Sequence, residues 1–244
     1  MFTMVIADIH GYHGLLLKAI EHFKQLPTSS RLVLLGDYID RGPESLECLQ
    51  TIIKLQKEYT DRVFVLKGNH EELFEYYLAT GAAYASNGIY QTLCSFLKDT
   101  YIPIPQKGQL GQYAAFTKPI LNKYPSLVGY IKGLPLTYED ENVFVVHAGV
   151  DFDNMECKDT EVLLWTRENY FIQTNTLGKP IVTGHTPIKS LKEYFKDFDI
   201  EYIEDTIVYT KDHKYFIDGG VFSSERLNTV TFKDGKLYSV NTFE

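Results

Sequence analysis

The sequence predicts an α/β fold with a largely parallel sheet and added antiparallel strands. Three observations carry that reading. First, short apolar runs recur, each joined to a polar cluster: FTMVIA before DIHG, RLVLLG before DYIDRG, RVFVLKG before NHE, then NVFVVHAG and PIVTGHT. Second, segments with helical spacing of apolar residues separate the first three runs. Third, after GHTP the pattern turns to strand signals: TIVYT, KYFID and the pair TVTFKDGKLYSV, where Asp234-Gly235 is a two-residue hairpin signal.

Taken in order, the apolar runs are rich in Val, Ile, Leu and Phe and read as strands buried on both faces. Leu15, Ala19, Ile20, Phe23 and Leu26 recur at helical spacing before Pro27, and Leu46, Leu49, Ile53 and Tyr59 do so in the next interval. Strand–helix–strand–helix–strand implies βαβ units. Residues 73–141 depart from that rhythm, being rich in Tyr, Gly and Pro, with helices expected around Glu72–Thr80 and Ile89–Asp99. They read as a helical cap inserted in one domain spanning residues 1–244.

A chain of 244 residues is long enough for one substantial core. Its net charge of −8 argues against a phosphate-backbone binder, so nucleic acid is not an expected partner. A local cationic pocket can still hold a phosphate. Cys48, Cys94 and Cys157 are odd in number and form no CxxC pair, so reduced thiols are expected rather than a disulfide framework or a cysteine zinc site. The start, MFTMVIADIHG, lacks the basic region and cleavage site of a signal peptide. No apolar run reaches the roughly 20 residues of a membrane helix. A cytoplasmic protein with no membrane partner is the expectation.

In open α/β sheets, ligands bind beyond the carboxyl ends of the strands. The polar clusters put Asp8, His10, Asp37, Asp40, Arg41, Asn69, His70, Glu71, His147 and His185 there, including four of the seven histidines. Each cluster alone has an ordinary explanation: an Asx turn at Asp8, a helix cap at GDYIDRG or GNHE, a structural His147, a turn into proline at GHTP. Five such coincidences in one order are hard to accept. Asp8 and His10 sit at i and i+2, on the same side of an extended chain, and so aim a carboxylate and an imidazole at one point.

Mixed carboxylate, amide and imidazole donors suit Mn²⁺, Fe or Zn²⁺ better than Ca²⁺. Two metals about 3.5–4 Å apart need a bridging carboxylate, for which the central Asp37 is the candidate. Two such cations exceed the charge of Asp8 and Asp37, attract phosphate and acidify a bridging water, so phosphoryl transfer to water is the expected reaction. Asn69 and His70, read as extended, point apart. With Asn69 on metal, His70 is free to be the general acid, oriented by Asp40. Arg41 and Arg167 would fork onto phosphate oxygens, with a surface pair with Glu168 as the lesser alternative for Arg167. His13, His22 and His213 read as surface or core histidines, and Trp165 as core packing.

The series DIHG, GDYIDRG, GNHE, HAG and GHT resembles the PPP family of metallophosphoesterases, most strongly from Val5 to Glu72. The WTR of Trp165–Arg167 is similar to the small bacterial and phage members. The resemblance implies a calcineurin-like sandwich of two mixed β-sheets flanked by helices. It implies one metal on Asp8, His10 and Asp37, and a second on Asp37, Asn69, His147 and His185. His70 with Asp40 would be the acid pair, and Arg41 with Arg167 the phosphate clamp. The implied cofactor is a pair of divalent ions, Mn²⁺ first, with Fe, Zn or Ni as alternatives. The implied partner is a phosphorylated protein or peptide bearing phosphoserine or phosphothreonine, with phosphotyrosine as a further candidate. A symmetrical dinucleoside tetraphosphate hydrolase is the rival within the family, ranked second because those proteins tend to carry GNHD where this chain has Glu71. A catalytically silent phosphate-binding module ranks last. Ala7 stands where the family usually has Gly, and Tyr76 to Tyr138 match nothing in it.

Overall fold

The computed structural model describes residues 1–103, 106–194, 200–203, 207–210 and 212–244. In chain order its elements are β1 (Phe2–Ile6), α1 (His13–Gln25), β2 (Arg31–Leu34), α2 (Ser45–Glu58), β3 (Val63–Val65), α3 (Asn69–Thr80), α4 (Ile89–Leu97), α5 (Thr117–Lys123), α6 (Pro125–Lys132), β4 (Thr137–Glu139), β5 (Phe144–Val146), α7 (Thr160–Trp165), α8 (Glu168–Ile172), β6 (Ile181–Thr183), α9 (Ile188–Tyr194), β7 (Ile200–Ile203), β8 (Ile207–Thr210), β9 (Lys214–Phe216), α10 (Val221–Ser224), β10 (Leu227–Lys233) and β11 (Lys236–Phe243). Among the described residues no helix is long and apolar enough to cross a membrane.

These strands form two mixed sheets, ordered β11-β10-β1-β2-β3 and β4-β5-β6-β9-β8-β7. Each contains a parallel trio, β1-β2-β3 at one end of the first sheet and β5-β6-β9 at the centre of the second, with antiparallel strands completing both. The trios are short and apolar on both faces, as in Leu32, Val33 and Leu34, all fully buried. The alternating runs at the C-terminus pair as an antiparallel hairpin, β10 with β11. Asp234 and Gly235 join them with φ of 51° and 71°, the left-handed pair that a type I′ turn requires.

The two sheets meet in one apolar cluster. The rings of Tyr215 in β9 and Phe232 in β10 touch across it at 5.1 Å. A polar tie lies close by, since Thr3 pairs with Phe232 in the register of β1 and β10. Asp140, in the β4–β5 turn, accepts hydrogen bonds from Thr3 of β1 (2.7 Å) and Tyr138 (2.7 Å), and from the backbone N–H of Asn142 and Val143. Asn142 in turn donates to Thr3 and accepts from Gly235 N–H.

The stretch 73–141 is mostly helical, as its pattern indicated, but it ends in β4, which pairs with β5 and belongs to the second sheet. Its helix α4 lies against α2, where Ser95 Oγ accepts the Leu46 N–H. Two strands, β4 and β7, were not legible in the sequence.

Candidate active site

The carboxyl ends of β1, β2, β3, β5 and β6 converge, and the loops that follow them are tied to one another. Backbone N–H groups of Ile9 and His10 both donate to the Asp37 carbonyl, at 3.0 and 2.8 Å. Glu71 is fully buried, and its two oxygens accept the N–H of Asp37, Tyr38 and Gly68, clamping the second loop to the third. His147 Nδ1 donates to the Leu35 carbonyl and Gly184 N–H to the His147 carbonyl. The His185 N–H donates to Asp8 Oδ2 at 2.9 Å, closing the ring between fifth loop and first.

Backbone strain concentrates here. His10, Asp37, Asp40, Arg41 and His185 all hold φ between 47° and 69°, a left-handed conformation that side chains other than glycine rarely adopt. Two glycines are required by close approach instead. A Cβ on Gly68 would stand 2.2 Å from Asp37 Oδ1, and one on Gly184 only 2.0 Å from Asp8 Oδ1.

All six residues expected to hold metal are buried together: Asp8, His10, Asp37, Asn69, His147 and His185. Asp37 stands between them. Its Oδ2 lies 3.6 Å from His10 Nε2 and 3.8 Å from His70 Nε2, while its Oδ1 lies 3.5 Å from His147 Nε2. Asn69 Oδ1 faces His147 Nε2 and His185 Nδ1, both at 2.9 Å. Candidate donor atoms fall into two overlapping groups that share Asp37, one with His10 and His70 and one with Asp8 and His147.

The electrostatics suit cations. Burial, followed by the Asp218 and Asp37 charges, raises the pKa of Asp8 well above the ordinary carboxyl range. Burial pushes Asp37 up too, but His147, His70 and His10 hold it far below that range. Burial also lowers His10, His147 and His185, so their imidazoles are neutral and each keeps one nitrogen lone pair. Because a carbonyl can only accept, the Nδ1–H bonds of His10 to Ile39 and of His147 to Leu35 leave Nε2 of each ring facing the cage. Asp8 Oδ1 and His185 Nε2 are buried with no hydrogen-bond partner. Unpaired buried acceptors are costly, and divalent ions would satisfy this donor set.

Asn69 and His70 open α3 rather than lying in an extended stretch. Successive helical residues are about 100° apart, so they still diverge, for a different reason. His70 Nδ1 donates to Asp40 Oδ2 at 2.7 Å. Burial disfavours its charge, but Asp37 and Asp40 outweigh that and raise its pKa. Arg41 forks between His10 Nε2 (2.7 Å) and His70 Nε2 (3.1 Å). The Asp40–Arg41 turn is held by the inserted segment: Thr92 of α4 donates to Asp40 Oδ1 and accepts its N–H, and Gly88 O accepts the Arg41 N–H.

Arg167 makes no ion pair with Glu168 among the described residues. It donates to Thr186 Oγ1 at 2.6 Å, beside His185. Trp165 is not core packing. It is half-buried, its ring 6.1 Å from that of His185 and its Nε1–H donating to Glu72 Oε2. His13, His22 and His213 stay outside the cage, His13 paired with Thr51 and His22 beside Phe243.

The sequence reading missed two features. Asp218 follows β9 as the other clusters follow their strands. It is buried, its Oδ2 has no partner, and burial raises its pKa to about 6. The signal was present in KYFID followed by Gly-Gly. Phe222 is exposed, with Arg41 4.7 Å over its ring.

Two mixed sheets whose strand ends gather carboxylates, an amide and imidazoles around one carboxylate define the metallophosphoesterase class of hydrolases. The calcineurin-like phosphoesterase family profile matches residues 1–221, and the chain belongs to that family. It is 25% identical over 189 residues to serine/threonine-protein phosphatase PP1-delta of Caenorhabditis elegans, covering 74% of this chain and 56% of that one. It therefore spans little more than half the length of this relative. A 68-residue stretch is 43% identical to the serine/threonine-protein phosphatase PP2A-like PPG1 of Candida albicans, covering 28% of this chain and 16% of that protein. Two solved structures share the fold at low identity. One is a Saccharomyces cerevisiae serine/threonine phosphatase with similarity to human PP5 (TM-score 0.58, 14% identity, 100% of this chain and 80% of that one). The other is a protein proposed to be a diadenosine tetraphosphatase (TM-score 0.57, 17% identity, 99% and 93%).

Proposed function

We propose that this chain is a two-metal phosphoprotein phosphatase that hydrolyses phosphoserine and phosphothreonine monoesters. The observation that carries the reading is Asp37, which turns one oxygen to His10 and the other to His147. Asp8, His10 and Asp37 would hold one cation, and Asp37, Asn69, His147 and His185 the other. Such a pair supplies charge neutralisation for phosphate and acidifies water. The remaining work falls to the chain itself. Arg41 and Arg167 are the donors for phosphate oxygens, and a guanidinium fork grips them in two-point fashion. His70, held by Asp40 with its pKa raised, would give a proton to the leaving alkoxide once Arg41 has turned from its Nε2 to the phosphate. Similarity to the PP1-delta and PPG1 phosphatases supports protein substrates, and Mn²⁺ is the ion we would supply first.

Fold similarity to the proposed diadenosine tetraphosphatase, 93% of whose length is covered, favours dinucleoside tetraphosphate hydrolysis as the second reading. A substrate panel in Mn²⁺ decides between them. The purified protein should turn over p-nitrophenyl phosphate and phosphoserine peptides with higher kcat/KM than diadenosine tetraphosphate. The reverse order gives the second reading, and no turnover of any phosphomonoester ends the first.

A further inference from the structure

A groove of about 640 Å³ runs between the C-terminal half of α2 and the junction of α5 and α6. Ile53, Tyr124, Leu127 and Tyr130 are among its apolar walls. Both tyrosine hydroxyls are tied back, Tyr124 to the Phe96 carbonyl and Tyr130 to Gln56 Oε1, which fixes the rings in place. Lys54, Lys57 and Lys123 also line it, and no carboxylate does. Among the described residues neither the Lys54 nor the Lys57 ammonium has a hydrogen bond or ion pair. Lys123 donates to the Asp99 carbonyl and lies 5.2 Å from the centre of the Tyr124 ring. Three cations without carboxylate partners around an apolar groove, on a chain of net charge −8, select a ligand that is both negative and apolar. Three lysines are too few for a nucleic-acid backbone, where affinity grows with the number of phosphates neutralised.

We propose that this groove docks a short acidic peptide segment of a partner protein, its apolar side chains seated among Ile53, Tyr124, Leu127 and Tyr130 and its carboxylates against the three lysines. The position of the groove adds a prediction about spacing. The first turn of α2 touches the candidate site, where Ser45 Oγ accepts the Asp40 N–H at 3.2 Å. Lys57 lies twelve residues further along the helix, about 18 Å at 1.5 Å per residue. An extended peptide covers that in about five or six residues. Resting on the phosphoprotein reading, the docked segment belongs to the substrate and lies at least that far from the phosphorylated residue.

The test uses the full chain and fluorescein-labelled six-residue peptides, one with Leu-Phe flanked by Glu pairs and one with Leu-Phe flanked by Lys pairs. Fluorescence anisotropy should show the acidic probe binding, with binding weakened about tenfold or more by the Lys54→Glu, Lys57→Glu double variant and by added salt. Turnover of p-nitrophenyl phosphate should be unchanged, showing the variant folded. Equal binding of both probes, or equal binding to both proteins, overturns the proposal. So does binding of laurate in place of the peptide, or a wild-type dimer that the variant dissolves, which would give the groove to a second copy. In a second arm the acidic segment is joined six residues from a phosphoserine. Its KM should fall relative to the basic version in the wild type alone. Equal KM for the two peptides removes the assignment of the docked segment to the substrate, whereas no turnover of either, with the first arm intact, leaves the groove standing and removes the phosphoprotein reading.

Discussion

His70 and Asp40 form a buried pair, Nδ1 to Oδ2 at 2.7 Å, whose imidazole faces the cage beside Asp37. A general acid matters most when the leaving group is a poor one. His70→Asn should therefore lower kcat on a phosphoserine peptide by roughly 10²–10⁴-fold, and much less on p-nitrophenyl phosphate, with bound Mn²⁺ unchanged. Equal losses on both substrates would remove His70 from the acid role.

Thr92 reaches the same pair from the inserted segment, donating to Asp40 Oδ1 while accepting the Asp40 N–H. Thr92→Val keeps the shape and removes both bonds. We expect kcat on the peptide to fall about tenfold, with the leaving-group dependence moving toward that of His70→Asn and thermal stability lowered by about 1–2 kcal/mol. Thr92→Ser should restore both. A variant that loses stability but keeps the wild-type leaving-group dependence would make Thr92 merely structural.

Gly184 leaves Asp8 its place, since a Cβ there would stand 2.0 Å from Asp8 Oδ1 and 2.7 Å from Leu35 Cδ2. Gly184→Ala must push the Asp8 carboxylate aside. Titration calorimetry with Mn²⁺ should show affinity reduced by tenfold or more, and chemical denaturation a cost of about 1–3 kcal/mol. Unaltered Mn²⁺ affinity would show that Asp8 holds no metal.

Asp140 ties the two sheets and gives stability an acid limb. Burial works against its charge, but hydrogen bonds from Thr3, Tyr138 and two backbone N–H groups hold its carboxyl below the ordinary value. A carboxyl with a depressed folded pKa stabilises fully above its unfolded pKa of about 3.9 and loses that contribution as pH falls through the folded value. Asp140→Asn should therefore be less stable at pH 7, by roughly 1–3 kcal/mol, and should show a shallower decline below pH 4. Parallel curves for both proteins would deny Asp140 that role.

What the sequence showed and what it hid follow from the range of the interactions. Asp8, His10, Asp37, Asn69, His147 and His185 were legible because each ends a short apolar strand, and parallel strands deliver their ends to one rim. The hairpin at Asp234-Gly235 was legible because its signal is local. Trp165 was misread because a lone tryptophan gives no sign of its partners, Glu72 and His185. Thr92 was invisible for the same reason, since its hydrogen bonds to Asp40 join residues far apart in the chain. Glu71 looked like a helix-start residue, and only the fold shows that its carboxylate clamps Asp37 and Tyr38 as well as Gly68. Asp218 was overlooked because a single Asp before Gly-Gly reads as a turn until the neighbouring carboxylates are in place.

Everything turns on Asp37 facing two cations at once. Crystals grown with Mn²⁺ and measured at its absorption edge should show two anomalous peaks about 3.5–4 Å apart, one beside each Asp37 oxygen. A single peak, or two peaks that Asp37 does not join, would contradict the account.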